Sequence, residues 1–284
     1  MNAQSPLGLI AGGGDLPQRI AEYVSREGRE IFVLGVQGFV EDKLLNAFPS
    51  ERISIGEIGK QMELLKRERC EDVVFAGVVR RPDFKSLKLD IRGAALLPKV
   101  LSAARKGDDA LLRTLVTAFE AEGFRVVGAD DVLGGLVVGP GALGELSPTD
   151  AHWVDIRKAA DVAAAMGRFD IGQGAVSCDG LILAVEAQEG TDLMLKRCAE
   201  LPPEIHGNEA GRLGVLVKRP KPQQERRIDL PTLGVATVRG AAAAGLAGIA
   251  VEAGGALVVD RDAVIAAADE LGLFIYGFTA DDVA

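Results

Sequence analysis

Short apolar segments alternate with amphipathic segments through the first half of the chain. Residues 6–12 form a continuous apolar run that ends in Gly12-Gly13-Gly14. The following Asp15-Leu16-Pro17 suits the first turn of a helix. The other predicted elements of this half are strands at 31–34, 72–77 and 124–128 and helices near 57–69, 94–106 and 109–122. Such alternation is typical of a parallel sheet covered by helices on both faces, so we predict an α/β fold.

The second half of the chain follows a segment rich in glycine, proline and serine between Gly134 and Thr149, which is the composition of a boundary. We therefore predict a parallel-sheet domain at 1–133, a linker at 134–149 and a distinct mixed α/β domain at 150–284. Its predicted elements are a helix around 150–166, strands at 174–177, 180–186 and 213–218, a helix starting near Thr191, and a strand-helix-strand unit ending at 274–278. Periodicity does not give the strand order of this domain.

Composition places the chain among globular proteins of about two domains, since it has 284 residues, of which 48% are hydrophobic and 26% charged. No uninterrupted apolar stretch is long enough to span a bilayer, and no secretory signal is visible, so we expect a cytoplasmic protein. The three cysteines have no close pair and support neither a disulfide framework nor a CxxC site. A net charge of −9 argues against a nucleic-acid partner, so an anionic ligand would need a local cationic patch.

The triple glycine lies between a predicted strand and a predicted helix, where backbone N–H groups and a helix N-terminus bind phosphate. We predict substrate contacts at Gly12, Gly13, Gly14 and Asp15. The dinucleotide fingerprint would need glycine at Pro17, and the second strand lacks the acidic residue that holds a ribose, so NAD binding is disfavoured. A tight turn without a ligand is the alternative.

Two further segments of the first half carry candidate substrate contacts. Val78, Val79 and Arg80 follow the strand at 72–77 and should lie at the same carboxyl edge of the sheet as the triple glycine, with Arg80 as a phosphate contact. Asp108 and Asp109 open a predicted helix, where one of them is most simply the N-cap. Asp108 is also a candidate substrate contact.

In the second half, carboxylates and a hydroxyl group cluster where a predicted strand ends and a helix begins: Glu186, Glu189, Thr191 and Asp192. Hard oxygen ligands at this density suit Mg²⁺ or Mn²⁺. Thr191 is also a candidate substrate contact; the alternative is that a helix N-terminus favours Thr191 and Asp192 purely as capping residues. Since the two histidines are too scattered for a zinc site, we expect carboxylates and a metal ion to activate water.

The segment 218–231, called the charged strip below, combines cations and carboxylates with prolines that stiffen the backbone. Lys218, Arg226 and Arg227 are candidate phosphate contacts there, and Gln224 is a candidate substrate contact. The alternative is an ordinary solvated hairpin loop, which is the usual setting of a charge run.

Five motifs occur in order over nearly the whole chain, at 8–17, at 76–77 with 81–82, at 106–113, at 185–192 and at 221–232. Together they resemble the LpxI-type UDP-2,3-diacylglucosamine pyrophosphatases of the lipid A pathway. The resemblance implies a Rossmann-like N-terminal domain and metal-dependent hydrolysis of UDP-2,3-diacylglucosamine to UMP and 2,3-diacylglucosamine 1-phosphate (lipid X). It also implies a homodimer that is peripheral to the inner membrane, contacts its surface transiently and uses Mg²⁺ or Mn²⁺.

Glu225 departs from the family pattern, which has aspartate after the glutamine. We expect Glu225 to be catalytic and to bind the metal with help from Asp192, Glu189 or Glu186. Glutamate moves the carboxylate outward by one methylene, and a displacement of about 1 Å can lower a rate about a hundredfold. We therefore expect a weak or inactive enzyme unless Glu225 is compensated elsewhere. The alternatives are a non-catalytic nucleotide-sugar or lipid sensor and, as a third reading, a nicotinamide oxidoreductase.

Overall fold

The computed structural model describes residues 4–80, 83–84, 87–105, 107–134, 136–202 and 204–284. It divides into two compact units, Met1–Gly134 and Gly135–Ala284. The elements of the first unit are β1 (Leu7–Ala11), α1 (Asp15–Arg26), β2 (Ile31–Val36), α2 (Asp42–Ala47), β3 (Ser50–Ile53), α3 (Ile58–Arg67), β4 (Asp72–Ala76), α4 (Ile91–Ala104), α5 (Asp108–Glu120), β5 (Arg125–Val127) and α6 (Ala129–Leu133). Those of the second unit are β6 (Gly141–Ala142), α7 (Asp150–Gly167), β7 (Gly174–Cys178), β8 (Leu181–Val185), α8 (Gly190–Ala199), β9 (Val215–Lys218), β10 (Thr232–Leu233), α9 (Val235–Ala243), β11 (Gly248–Glu252), β12 (Leu257–Val258), α10 (Arg261–Leu271), β13 (Phe274–Phe278) and a final 3-10 turn (Asp281–Val283).

The first unit is built on a five-stranded sheet in the order β3-β2-β1-β4-β5, and all its pairs are parallel. The central strand β1 is buried along its whole length, which is why it appears as a continuous apolar run. The chain order reverses between β1 and β4, so their carboxyl ends form the switch point at which open α/β sheets bind ligands. The predicted parallel-sheet fold is confirmed.

The second unit contains a six-stranded mixed sheet in the order β6-β13-β11-β9-β7-β8. Strands β9, β11 and β13 are mutually parallel, whereas β6, β7 and β8 pair antiparallel with their neighbours. One face packs into a core with residues of α8, α9 and α10, and the other packs against α7. This arrangement confirms the predicted mixed α/β fold, and strand β8 forms one edge of the sheet.

The segment predicted as a linker is largely part of the second unit. Strand β6 pairs with β13, and the buried Val138 donates a backbone hydrogen bond of 3.0 Å to Ala256. A Cβ on Gly277 would lie only 1.9 Å from the carbonyl oxygen of Gly139, so this crossing requires glycine. The glycines of this segment therefore permit close backbone packing rather than a flexible connection.

The three cysteines are free and buried. Burial raises the pKa of the Cys70 and Cys178 thiols to about 11, so both are protonated near neutral pH. In the part of the chain that the structure describes, no helix is both long and apolar enough to cross a membrane.

Candidate functional site

The triple glycine at the end of β1 makes its hydrogen bonds mainly with the loop after β4. The Gly12 N–H donates to the carbonyl of Ala76 at 2.8 Å, and Gly13 and Val78 exchange two backbone hydrogen bonds of 2.8 and 2.9 Å. A Cβ on Gly12 would lie 2.7 Å from the Val78 carbonyl oxygen. Close packing of two loops therefore explains why positions 12 and 13 are glycine. The N–H groups of both residues already donate hydrogen bonds within the protein.

The helix N-terminus behind the triple glycine is the remaining phosphate-binding feature of the turn. Gly14 is the N-cap of α1, has φ +87° and makes no side-chain capping hydrogen bond. Asp15 follows in the first helical turn and is exposed. Its carboxylate interacts favourably with the helix dipole but repels an anion at the same place. The substrate roles of Gly12, Gly13, Gly14 and Asp15 stay predictions.

The other candidates of the first unit are mostly exposed. Val78, which pairs with Gly13, is 67% exposed, and Arg80 also lies on the surface. The N-cap of α5 is Gly107, so the expectation that an aspartate caps this helix is wrong, because Asp108 and Asp109 already lie in its first turn. Of the motif residues, Arg81, Pro82 and Lys106 lie outside the described residues. The contacts proposed for Val78, Val79, Arg80 and Asp108 stay predictions.

Lys218 lies at the carboxyl end of β9, fully buried beside a buried glutamate. In the sheet it pairs with Gly174, whose carbonyl accepts a 2.9 Å hydrogen bond from the Glu186 N–H. The Lys218 ammonium donates to the Thr232 carbonyl at 3.0 Å. Burial lowers the pKa of Lys218, while the negative charges of Glu186, Asp192 and Asp229 oppose this shift. A buried ammonium group and three carboxylates therefore share one region of the second unit.

Glu186 has one satisfied and one unsatisfied carboxylate oxygen. Its Oε1 accepts a 2.9 Å hydrogen bond from the Thr191 hydroxyl group. Its buried Oε2 has no hydrogen-bond partner within the residues that the structure describes. A buried, unpaired carboxylate oxygen is unfavourable by itself and is typical of a position that is completed by a ligand or an ion.

The charged strip is a packed segment and not a solvated hairpin loop. Gln224 is buried; its Oε1 accepts from the Lys221 N–H at 2.8 Å and its Nε2 donates to Asp229 at 2.7 Å. Arg226 and Arg219 both bind Glu252, at 3.1 and 2.9 Å. The prolines and these contacts hold the strip against the end of the sheet, where its polar groups have fixed positions.

The four predicted metal ligands are not brought into one cluster. Glu225 forms a two-pronged ion pair with Arg227, with both N–O distances 2.8 Å, inside the strip itself. Glu189 pairs with Arg197 at 2.9 Å. Among the described residues, no group of three or more metal-ligating side chains is close enough to hold an ion. Glu186 and Asp192 both act on the charge of Lys218, and all four ligand assignments stay predictions.

A cavity of about 160 Å³ opens beside the strip. Polar side chains dominate its lining, and they come from the loop before β7, from the end of β8 and from the strip. The lining residues are Ile171, Gly172, Gln173, Glu186, Ala187, Gln188, Gly190, Lys221 and Asp229. The cavity therefore offers one cation, two carboxylates and two amides to a polar ligand.

Comparison with known proteins decides the family. The LpxI N-terminal domain matches residues 6–136 and the LpxI C-terminal domain matches residues 139–276. The chain belongs to the LpxI family. The UDP-2,3-diacylglucosamine pyrophosphatase LpxI of Caulobacter vibrioides is 56% identical over 271 residues, which cover 95% of this chain and 96% of that protein. CobK precorrin-6A reductase, a solved structure 12% identical over 97% of this chain and 88% of its own, has a TM-score of 0.26, too low to support an argument.

Several residues at this LpxI-family site were not assigned from the sequence. Asp229 and Lys221 lie within the motif at 221–232, but periodicity gives no side-chain direction in a turn-rich segment. Gln173 lies about fifty residues upstream, and its side chain meets Gln224 at 3.4 Å. Asp170 forms an ion pair with Lys221. Only the fold brings the loop before β7 to the strip, so no local signal marks these two residues.

Proposed function

We propose that this LpxI-family chain hydrolyses the pyrophosphate of UDP-2,3-diacylglucosamine, giving UMP and 2,3-diacylglucosamine 1-phosphate. The observation that carries the proposal is the 56% identity to the Caulobacter pyrophosphatase over 95% of this chain. The buried Lys218 and Glu186 beside a polar cavity support a site for an anionic ligand. Neither the sensor nor the oxidoreductase alternative is favoured by these observations.

In the proposed reaction, water attacks one phosphorus atom as the bridging P–O bond breaks. Glu225, released from its ion pair with Arg227, positions that water and accepts its proton, and the departing phosphate oxygen carries away the bond's electron pair. Lys218, Arg226 and Arg227 offset the negative charge that builds up on the phosphoryl oxygens. Thr191 and Gln224 orient the substrate beside Glu186 and Asp229.

We also propose that Mg²⁺ or Mn²⁺ is required. Lys218 and the three carboxylates around it together carry an excess of negative charge, and a pyrophosphate adds more. Mg²⁺ commonly binds through one or two carboxylates together with substrate phosphates, so it needs no complete protein cage. Glu186, whose Oε2 is unpaired, and Asp192 would hold the ion, with Glu225 or Glu189 as the further candidates. When bound, the ion would neutralise phosphate charge and polarise the attacked phosphoryl group.

We further propose a homodimer and a transient membrane contact. Edge strand β8 has the apolar sequence Leu-Ile-Leu-Ala-Val, and Leu181 is 66% exposed. An apolar edge of this kind favours pairing with a second chain. The substrate named for the relative carries two acyl chains, so we propose that the protein meets it transiently at the surface of the inner membrane, from the cytoplasm. Sedimentation equilibrium and vesicle co-sedimentation test these two points.

The central experiment measures UMP release from UDP-2,3-diacylglucosamine by the purified chain. We expect turnover with Mg²⁺ or Mn²⁺, loss of turnover in EDTA and recovery when the ion is returned. Glu186→Gln should lower turnover, whereas Glu200→Gln, at an exposed position, serves as the matched control. If neither the parent chain nor Glu225→Asp releases UMP under any of these conditions, the proposed function is wrong. If EDTA changes nothing, only the metal requirement is wrong.

A further inference from the structure

The loop between α7 and β7 exposes an aromatic side chain close to the cavity. Phe169 is 79% exposed, and Ile171, two residues later, is 43% exposed and lines the cavity. Single exposed apolar side chains are common on protein surfaces, but two of them at the rim of a concave polar site offer a contact surface to apolar parts of a ligand bound there. The reaction chemistry described above uses neither residue.

The charged strip holds this loop in place from several directions. Asp170 adopts a left-handed backbone conformation with φ +57° and forms an ion pair with Lys221. Gln223 donates to the Gly167 carbonyl at 2.7 Å, and the Arg219 N–H donates to the Gln173 carbonyl at 3.0 Å. A non-glycine residue in this conformation is unfavourable unless its surroundings fix it. Phe169 therefore lies on a loop whose conformation is fixed by an ion pair and hydrogen bonds.

We infer that Phe169 and Ile171 form the contact surface for an acyl chain of the glycolipid substrate. This inference rests on the proposed function, because a diacylated sugar phosphate carries apolar chains close to its phosphate. The polar cavity suits the sugar phosphate. The two apolar side chains at its rim contact the acyl chain where it extends out of the cavity. A chain that covers the two side chains gains binding in proportion to the apolar area removed from water.

Charge favours a single bound chain over a bilayer surface as the occupant of this pair. The pair is flanked by Arg168, a single exposed cation, and by Asp170, whose carboxylate is paired with Lys221. Anionic membrane surfaces are bound through clusters of basic residues, and a single arginine does not make one. An acyl chain already attached to a bound headgroup needs no such cluster.

The test compares Phe169→Ser and Ile171→Ser with the parent chain on a long-chain substrate and on a short-chain analogue, both in detergent. Leu213→Ser is the matched control, because Leu213 is 45% exposed and precedes the amino end of β9, opposite to Lys218. We expect KM for the long-chain substrate to rise about tenfold or more in the two variants, with kcat nearly unchanged, since uniform binding is lost. The short-chain analogue and the control variant should show little change.

Three outcomes overturn the inference. Unchanged KM values show that the two side chains do not contact the acyl chain. Equal rises in KM for both substrates show a general effect on the site. Loss of co-sedimentation with phosphatidylethanolamine and phosphatidylglycerol vesicles in Phe169→Ser, with KM unchanged in detergent, assigns the pair to the bilayer instead. Absence of UMP release from both the parent chain and Glu225→Asp contradicts the proposed function itself, which separates that failure from these three.

Discussion

The triple-glycine turn and the charged strip were both predicted to bind phosphate, but they use their polar groups differently. In the turn, the Gly12 and Gly13 N–H groups bind carbonyls of the neighbouring loop. In the strip region, Lys218 and Glu186 are buried together, and one Glu186 oxygen has no hydrogen-bond partner among the described residues. Glycine after a strand serves packing as well as binding, whereas a buried charge that lacks a full set of partners is hard to explain by packing alone.

The largest expected effect is that of Lys218→Met, which removes the buried ammonium group. Removing one preorganised charge-stabilising group lowers kcat about 10²- to 10³-fold. Lys196→Met, at an exposed position on α8, is the control. Turnover within a few-fold of the parent, in a variant that circular dichroism shows to be folded, would mean that the strip region is not the reaction centre.

The next effect concerns Glu225, whose carboxylate is held by Arg227 at 2.8 Å. Aspartate withdraws the carboxylate by one methylene and weakens this pairing. We expect Glu225→Asp to raise the rate of UMP release, by up to about a hundredfold, because placement within about 1 Å matters for catalysis. Equal rates would show that this chain already compensates for the longer side chain. Glu200→Asp, the same substitution at an exposed position, is the control and should leave the rate unchanged.

A smaller effect is expected in the turn, on stability. Gly12→Ala puts a Cβ 2.7 Å from the Val78 carbonyl oxygen. Overpacking of this kind typically destabilises by about 1–3 kcal/mol, measured by urea or thermal unfolding. An added Cβ at Gly211 meets nothing within 4 Å, so Gly211→Ala is the control. If Gly12→Ala kept the parental stability but bound substrate more weakly, this would support the prediction that the turn binds phosphate.

The smallest effect tests the charges of the first unit, which are paired within the structure. Arg125 and then Arg29 hold the pKa of Asp72 below its ordinary value of 3.8. A carboxyl whose pKa is lowered by folding stabilises the folded state above its ordinary pKa and loses that contribution as pH falls through the lowered value. Asp72→Asn should therefore be less stable than the parent at pH 7, and the difference should shrink below about pH 4. A constant difference in urea unfolding across this range contradicts the assignment.

The sequence predicted elements well where burial left a clear pattern. The runs of β1 and β4 are apolar because both strands lie inside the sheet. Strand β3 was missed because Glu51 and Arg52 are exposed at the sheet edge and leave too little apolar signal. Helix α9 was also missed, since its alanine- and glycine-rich sequence has only a weak amphipathic pattern.

The site was predictable only as far as its motifs reach. Glu186 and Lys218 stood out because each ends an apolar strand and carries a charge. Their burial in one region, and the loop carrying Gln173, follow from the antiparallel pairing of β7 with β9. The Glu225 pairing depends on side-chain directions in a turn, which local sequence does not specify.

Residues 136–143 are part of the second unit, and this limits where a fragment of that unit can begin. A fragment that begins at residue 150, after the glycine-rich segment, would lack β6 and leave one side of β13 without its neighbour. It would also remove Val138 and Leu143, both of which are buried in the core. An autonomous C-terminal fragment must therefore start upstream of Val137, and proteases that cut within 136–143 should unfold that fragment rather than trim it.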